Sequence, residues 1–392
     1  MTMTTTFLQI SAPGLAALGS NTPGLTTHEH VGFELGWDYA HHRVSPPAPY
    51  AQDPSPLFSG LLAGQAAFGS RSLQATPAVR KWLQLRLNAW LRGRSVELFQ
   101  VTPHYLQQLE VSHCPIRRVA LSSVDTQAAD LTMNAVTESS IDRVRNDAGY
   151  AAGNLAVMST QANHAKAAYG FRDAMKFAAE LESGKHPSVG GIHGLTAAQW
   201  GRVAVLCSLV EPLSHDEACG LPLLLLPPNR LHLLNPAQAL QAFVSQQLLK
   251  PGWSHRVSRI EALVPGQASR RAFRDFFHSL LPRVLEAGRT SEVNRARWAI
   301  EDAWRNPLVL KRWSAFARQL SAPQCEALVV KAVQRKLGAC NAQQHSDAQA
   351  TEGWNLASRG YVPHGVLYDV QHGVLMKRSV RRSAQVQALL PL

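Results

Sequence analysis

Charged residues and cysteines are both scarce in this chain of 392 residues. Asp, Glu, Lys and Arg make up 17% of the sequence, below the roughly 25% that is usual in soluble domains. The five cysteines are odd in number and form no Cys-x-x-Cys pair, which argues against a zinc knuckle and a closed set of disulfides. We therefore expect free thiols, a reducing compartment and a cytoplasmic location.

Long apolar runs are also missing. The longest, residues 220–228, contains Pro222 and is far shorter than the roughly 20 residues that cross a bilayer. Residues 1–20 carry no Lys or Arg before their modest apolar run, so we do not expect a secretory signal. The sequence thus predicts a soluble protein with no membrane partner.

Several catalytic motifs are absent as well. The chain has no phosphate-binding P-loop, no dinucleotide-binding glycine fingerprint and no Gly-x-Ser-x-Gly nucleophile elbow. Histidine pairs such as His41 and His42 have no second cluster at ligand spacing, so we interpret them as structural. The common nucleotide-dependent enzymes and serine hydrolases are therefore not indicated.

Acidic residues are outnumbered by basic ones. The chain has 39 Lys and Arg against 27 Asp and Glu, a net charge of +12. Residues 270–336 alone hold fourteen basic and six acidic residues. Such an excess favours a polyanionic partner, because each neutralised phosphate releases condensed counterions. Nucleic acid is the expected partner, with DNA favoured over RNA. An acidic protein is the alternative, and other protein partners stay open.

One segment carries a pattern typical of a catalytic unit. Residues 140–144 and 155–158 predict two strands, and glycines at 149 and 153 predict a tight loop between them. A helix follows from about Thr160 to Glu182, with Ser159 or Thr160 as its N-cap. In this order, Asp142 on the first strand and Asn163 or His164 on the helix can converge on one hard cation.

The same segment resembles the His-Me finger (HNH) endonucleases, in their variant with Asp-Arg in place of Asp-His. The matching pattern is Ser-x-Asp-Arg-Val, four residues, Gly-Tyr, three residues, Asn-Leu and then Asn-x-x-Lys. Upstream, Cys114-Pro115-Ile116 is similar to the first strand of that family. The resemblance covers about residues 114–166 and nothing outside them.

The resemblance implies a role for four residues. Asp142 and Asn163 take the places of the metal ligands, and Asn154 that of the Asn that holds the loop between the strands. Lys166 takes the place of a basic residue suited to a phosphate. The implied cofactor is a divalent metal, Mg²⁺ with Mn²⁺ as the alternative. The implied reaction is hydrolysis of a phosphodiester bond in nucleic acid.

The chain departs from the family at the general base. Arg143 stands where the commoner form has its His, and a guanidinium does not accept a proton at neutral pH. Either another group activates water, with His164 or His113 as candidates, or the metal does so, or the site is inactive. The sequence therefore predicts a metal-dependent endonuclease, with a catalytically inactive nucleic-acid-binding or scaffold protein as the alternative.

Four arginines are the candidate phosphate contacts beside Lys166. Arg117 and Arg118 replace the Thr-Gly that often follows the family's upstream Cys, and Arg143 and Arg145 flank the expected scissile phosphate. The planar fork of Arg suits phosphate oxygens. We therefore expect Arg117, Arg118 and Arg145 to bind nucleic acid, and Arg143 to act in the catalytic group.

The overall fold class that follows is mainly α, with one embedded ββα-metal (His-Me finger) module, and α+β overall. Residues 1–79 predict an irregular arm rich in Pro and Gly, and residues 80–186 the nuclease-like module with flanking helices. Residues 187–338 predict a basic helical domain. Residues 339–392 predict a polar loop, a β-hairpin and a basic tail.

Overall fold

The structure, a computed structural model, describes residues 27–98, 100–122, 137–184, 190–249, 251–287 and 293–337. The predicted hairpin and basic tail after residue 339 lie outside the described residues. The described part is mainly helical with one small sheet, so the α+β class is confirmed. Its strands and helices, in chain order, are α1 Thr27–His41, α2 Pro56–Phe68, α3 Pro77–Leu91, α4 Pro103–Leu109, β1 Ser139–Arg143, β2 Leu155–Ser159, α5 Thr160–Lys166, α6 Phe171–Glu182, α7 Ala197–Ser208, α8 His215–Gly220, α9 Pro236–Gln246, α10 Trp253–Glu261, α11 Gln267–Ala287, α12 Val293–Ala303, α13 Pro307–Ala317 and α14 Ala322–Gln334.

The chain divides into two compact units. Among the described residues, the smaller unit comprises 27–75 and 86–93, and the larger comprises 76–85 and 94–337. The prediction of an irregular arm over residues 1–79 is wrong for its described part, which contains α1 and α2. The prolines lie between these helices, and Pro56 occupies the first turn of α2, where a missing N–H costs nothing.

In the smaller unit, α1 and α2 pack through glycines. A Cβ on Gly36 would lie 1.9 Å from the carbonyl oxygen of Leu57, and a Cβ on Gly60 would lie 1.9 Å from that of Phe33. The two helix backbones therefore touch directly at these positions. Arg86, nearly buried, forms an ion pair with Asp38 of α1.

In the larger unit, one hydrophobic core runs from Cys114 to Leu337. Helix α7 lies at its centre, because every residue from Trp200 to Ser208 is buried. The hairpin residues Ala156 and Met158 belong to the same core as the helices that follow. The predicted boundary between residues 186 and 187 therefore does not separate two cores.

The sequence predicts one helix from about Thr160 to Glu182, but the structure has two. Helix α5 ends at Lys166, because the next residue, Ala167, has a φ of 43° in the left-handed region. Helix α6 starts after Gly170, which serves as its N-cap. Within the described residues, no helix has both the length and the apolar character needed to cross a membrane.

Candidate functional site

The hairpin and the helix after it form a small ββα arrangement. β1 pairs antiparallel with β2, with Asp142 opposite Ala156 and Ser139 opposite Ser159. Side chains alternate along a strand, so the side chains of Ser140 and Asp142 leave β1 on the same side. The Ser159 hydroxyl then accepts a hydrogen bond of 3.3 Å from the N–H of Ala162, which starts α5 directly at the end of β2.

Asn154 holds the loop between the two strands. Its side chain is fully buried, and its oxygen accepts a bond of 2.9 Å from the Arg145 N–H. Its amide donates to the carbonyls of Arg145 and Gly149, at 3.0 Å and 3.2 Å. A single amide thereby satisfies three backbone groups that the loop would otherwise leave unpaired. Asn154 is therefore part of the loop's structure and does not point toward a ligand.

Gly153 closes the same loop against a neighbouring segment. Its φ is 88°, and a Cβ there would lie 2.1 Å from Nδ1 of His232. Its N–H donates to the Tyr105 hydroxyl at 2.7 Å, and its carbonyl accepts from the His232 N–H at 3.0 Å. Burial raises the pKa of Tyr105 to about 12, so this hydroxyl stays protonated at neutral pH. Only glycine fits this backbone conformation and this close approach.

Asp142 and Lys166 form a buried ion pair between β1 and α5. The Lys166 ammonium lies 3.0 Å from Oδ2 and 3.3 Å from Oδ1 of Asp142, and it donates to the Arg143 carbonyl at 3.1 Å. Lys166 is 0% exposed and Asp142 is 4% exposed. Oδ2 is the nearer oxygen but accepts no hydrogen bond, so the contact there is electrostatic.

Burial also determines the electrostatics of this pair. It raises the pKa of the Asp142 carboxyl, and the adjacent Lys166 ammonium opposes that rise. Cys207 of α7 lies next to the pair, and burial raises the pKa of its thiol to about 12. A thiol with such a pKa remains neutral and serves as an apolar wall. The charges on Asp142 and Lys166 are thus buried, with the neutral Cys207 thiol of α7 near enough for both charges to affect its pKa.

This burial corrects the sequence prediction for Lys166. The prediction places its ammonium on a phosphate, but the structure places it on Asp142 and leaves it no exposed surface. The reason is helix geometry: Asn163 and Lys166 are three residues apart and share the face of α5 that lies against β1. The spacing Asn-x-x-Lys could have shown that both side chains face the strand, but not that Lys166 is fully buried.

Asn163 and His164 differ in their surroundings. The Asn163 amide is half-buried and donates to the Ser140 hydroxyl at 2.8 Å. Both predicted metal ligands therefore face the gap between β1 and α5, but Asn163 is bound to Ser140 and Asp142 is bound to Lys166. His164 is exposed on the other side of the helix. The structure thus does not bring His164 to the Asp142 carboxylate.

These residues, as they are folded, do not fit a divalent metal ion. Mg²⁺ needs an open, near-octahedral shell at about 2.1 Å and keeps several waters. Both oxygens of Asp142 instead lie within 3.3 Å of an ammonium that already supplies the positive charge. In the part of the chain that the structure describes, no three His, Cys, Asp or Glu side chains come together as a ligand set. A metal would have to displace Lys166 first.

Arg143 and Arg145 are also held within the loop. Arg143 donates to the carbonyls of Asn146 and Ala148, at 3.2 Å and 2.9 Å, and lies 5.2 Å above the ring of Tyr150. Burial lowers its pKa, but a guanidinium remains charged at neutral pH and cannot act as a base. Arg145 forms two bonds of 2.7 Å with Asp147, which is exposed. Of the two, only Arg145 could exchange its partner for a phosphate.

The arginines after Cys114 are not equivalent. Arg118 binds Asp302 and the buried Glu301, at 2.7 Å and 3.1 Å, and lies over Trp298. The local sequence pattern indicates neither acid, because both lie more than 180 residues away along the chain. Arg117 is half-buried, with two nitrogens that have no hydrogen-bond partner among the described residues. Arg118 therefore serves as a structural link, while the two nitrogens of Arg117 without a hydrogen-bond partner are buried and do not face solvent.

Cys114 has a structural role beside these arginines. Its sulfur accepts hydrogen bonds from the N–H groups of Ser159 and Arg117, at 3.3 Å and 3.4 Å. The thiol thereby ties the upstream turn to the end of β2. This is the same end of the hairpin at which α5 begins.

No family model, curated protein or solved structure matches this chain. The resemblance to HNH endonucleases therefore depends on residues 114–166 alone.

Proposed function

We propose that the protein binds nucleic acid, and that its ββα unit is a structural element that does not cut the bound strand. The observation that carries this proposal is the Asp142–Lys166 pair, in which an internal ammonium lies where the HNH resemblance implies a metal ion. The net charge of +12 supports a polyanionic partner. This is the alternative that the sequence leaves open beside the endonuclease.

The chemistry of phosphodiester hydrolysis explains why the pair matters. The reaction needs a cation that contacts the phosphate and a base or bound hydroxide that attacks it. Lys166 neutralises Asp142 but is fully buried, so it cannot reach a phosphate. Arg143 cannot accept a proton, and His164 faces away from the carboxylate. His113, the other candidate base, is bound to Asn294 of α12 at 2.9 Å. In this arrangement the unit offers Arg145 as a cation that could contact a phosphate, but no metal-bound hydroxide and no base at Asp142.

The endonuclease reading makes a different prediction, and a plasmid assay separates the two. Purified protein is incubated with supercoiled plasmid and Mg²⁺ or Mn²⁺, beside the variants Asp142→Asn and Asn163→Ala. We expect retarded plasmid without nicking for the wild-type protein. Metal-dependent nicking by the wild-type protein that both variants lose, while they stay folded by circular dichroism, would contradict the proposal.

Binding itself is tested by its dependence on salt. If phosphates are the ligands, the logarithm of the affinity falls linearly with the logarithm of salt concentration, by about 0.9 for each neutralised phosphate of a duplex. Fluorescence anisotropy with a labelled duplex between low and moderate salt measures this slope. A slope near zero would exclude phosphate binding and favour the acidic-protein alternative.

A further inference from the structure

Helix α11 is fixed to the core of the larger unit by one face. The ring of Phe273 lies 5.2 Å from that of Phe316, and the ring of Phe276 lies 5.1 Å from Trp313 and 5.4 Å from Trp304. All five of these aromatic side chains are buried. The position and rotation of α11 are therefore set by aromatic packing, which leaves its opposite face to solvent.

That opposite face is polar and basic. Gln267, Arg271, Arg274 and His278 are all exposed, and they follow one another at intervals of four, three and four residues. Such spacing aligns side chains along one side of a helix. The row extends over about 16 Å, at 1.5 Å per residue.

Neighbouring elements add positive charge to the start of this row. Arg259 near the end of α10 donates to the carbonyl of Arg335 at 3.4 Å, which brings the end of α14 beside it. Arg274 donates to Glu261 at 3.1 Å, which joins the end of α10 to α11. We call this surface the α11 surface. It consists of six cationic residues, all exposed: Arg259, Arg270, Arg271, Arg274, Arg335 and Lys336.

Little of this charge is neutralised by the protein itself. Within the described residues, Glu261 forms an ion pair with Arg274, while no acid forms one with Arg259, Arg271 or Arg335. A cluster of like charges is costly for a protein to keep unless a partner of opposite charge binds it. Most apolar side chains of α11 are buried, and Leu285 is the one large hydrophobic residue that its described part exposes, which is too little apolar surface for entering a lipid surface.

We propose that the α11 surface is the site at which this protein binds double-stranded nucleic acid, through the phosphate backbone. This inference rests on the proposed nucleic-acid binding and names the surface responsible for it. A duplex carries one negative charge per about 1.7 Å, so a surface with six exposed cationic residues faces several phosphates. Gln267, Arg271 and His278 also carry donors of the kind that contact base edges and phosphates. The site is separate from the ββα unit of Asp142 and Lys166.

The test compares two triple variants of the full chain. Arg259→Gln, Arg271→Gln and Arg335→Gln together remove three charges from the α11 surface. The matched control removes three exposed cations elsewhere: Arg92→Gln, Lys176→Gln and Lys311→Gln. Both variants have the same net charge and no altered core residue, and circular dichroism checks that both are folded. The readout is anisotropy of a labelled 20-base-pair duplex across a salt series.

We expect the α11 variant to lose at least tenfold in affinity near 0.1 M salt, and its salt slope to fall by about three, close to one for each lost phosphate contact. The control should change by less than threefold. Equal losses in the two variants, with wild-type binding intact, would overturn the α11 site alone. No duplex binding by the wild-type protein would overturn the proposed function as well. Displacement of the duplex by polyglutamate at equal charge concentration would overturn the choice of nucleic acid as partner.

Discussion

Lys166 is the residue on which the interpretation of the ββα unit depends. A buried charge is costly unless a partner of opposite charge lies beside it, and Asp142 is that partner. Removing one member of such a pair leaves the other charged group buried without compensation. Replacing both members by apolar residues removes that penalty, because neither charge then has to be desolvated.

Lys166→Met is therefore expected to destabilise the protein by about 3 to 5 kcal/mol at neutral pH. The double variant Lys166→Met with Asp142→Leu should recover most of that loss. Urea unfolding followed by circular dichroism measures both, with Lys176→Met on the exposed side of α6 as the control. A single variant as stable as the control would mean that the pair contributes nothing.

The pH dependence of Lys166→Met follows from the raised pKa of Asp142. In this variant the Lys166 ammonium no longer lowers the pKa of Asp142, so the Asp142 carboxyl of the folded protein keeps its proton to higher pH. A raised pKa in the folded state gives stability that is present at low pH and lost as pH rises through that pKa. The stability gap between wild type and variant should thus be smaller at pH 5 than at pH 8, in urea unfolding at each pH. A constant gap would contradict this sign.

Asn154 offers a second test at the residue scale. Asn154→Ala removes three hydrogen bonds and leaves the N–H of Arg145 and the carbonyl of Gly149 without partners. We expect a loss of about 1 to 3 kcal/mol in the free energy of unfolding. Asn146→Ala is the control, because that side chain lies half-exposed in the same loop. Similar stability for the two variants would show that the loop does not depend on the Asn154 amide.

At the scale of elements, the local pattern predicted the hairpin and its helix well. β1, β2 and the start of α5 follow from strand alternation, two loop glycines and a Ser cap, all within about thirty residues. The starts of α9 at Pro236 and of α14 at Ala322 carry local signals of the same kind, a Pro in the first turn of each and Ser321 before α14. Local signals determine such boundaries because they act between neighbours in the chain.

Other elements could not be read in this way. The predicted irregular arm contains α1 and α2, because its prolines mark the linker and the start of α2 and its glycines mark a close helix crossing. The break after α5 depends on Ala167, a residue with no turn preference of its own. Contacts between residues that are distant in the chain decide both cases, and a local sequence pattern does not show such contacts.

The close contact between α1 and α2 at Gly36 and Gly60 gives a prediction for the packing of these two helices. Gly60→Ala should destabilise the packing of α2 on α1, because the new methyl would lie 1.9 Å from the Phe33 carbonyl oxygen. This clash should outweigh the gain of about 1 kcal/mol that alanine gives within a helix. Ser59→Ala, one position earlier in α2, is the control. Thermal unfolding followed by circular dichroism should show a lower transition temperature for Gly60→Ala than for the control. The reverse order would mean that the helices are not in direct contact.

At the scale of the whole molecule, the burial of the candidate site decides what its charged side chains can bind. The sequence places Asp142, Asn163 and Lys166 correctly on the strand and the helix, but it does not show that Asp142 and Lys166 are buried as a pair. Burial turns a predicted phosphate ligand into an internal counterion. The proposed nucleic-acid binding therefore falls to surfaces outside the unit, and the α11 surface with its six exposed cationic residues is the one we propose.

The most direct test of the account is a titration of the folded protein with Mn²⁺, followed by electron paramagnetic resonance. Because Lys166 already neutralises Asp142, we predict that wild type and a folded Asp142→Asn variant bind the same amount of Mn²⁺. One Mn²⁺ bound by wild type and lost in a folded Asp142→Asn variant would contradict the account, since it would place a metal ion where the lysine now lies.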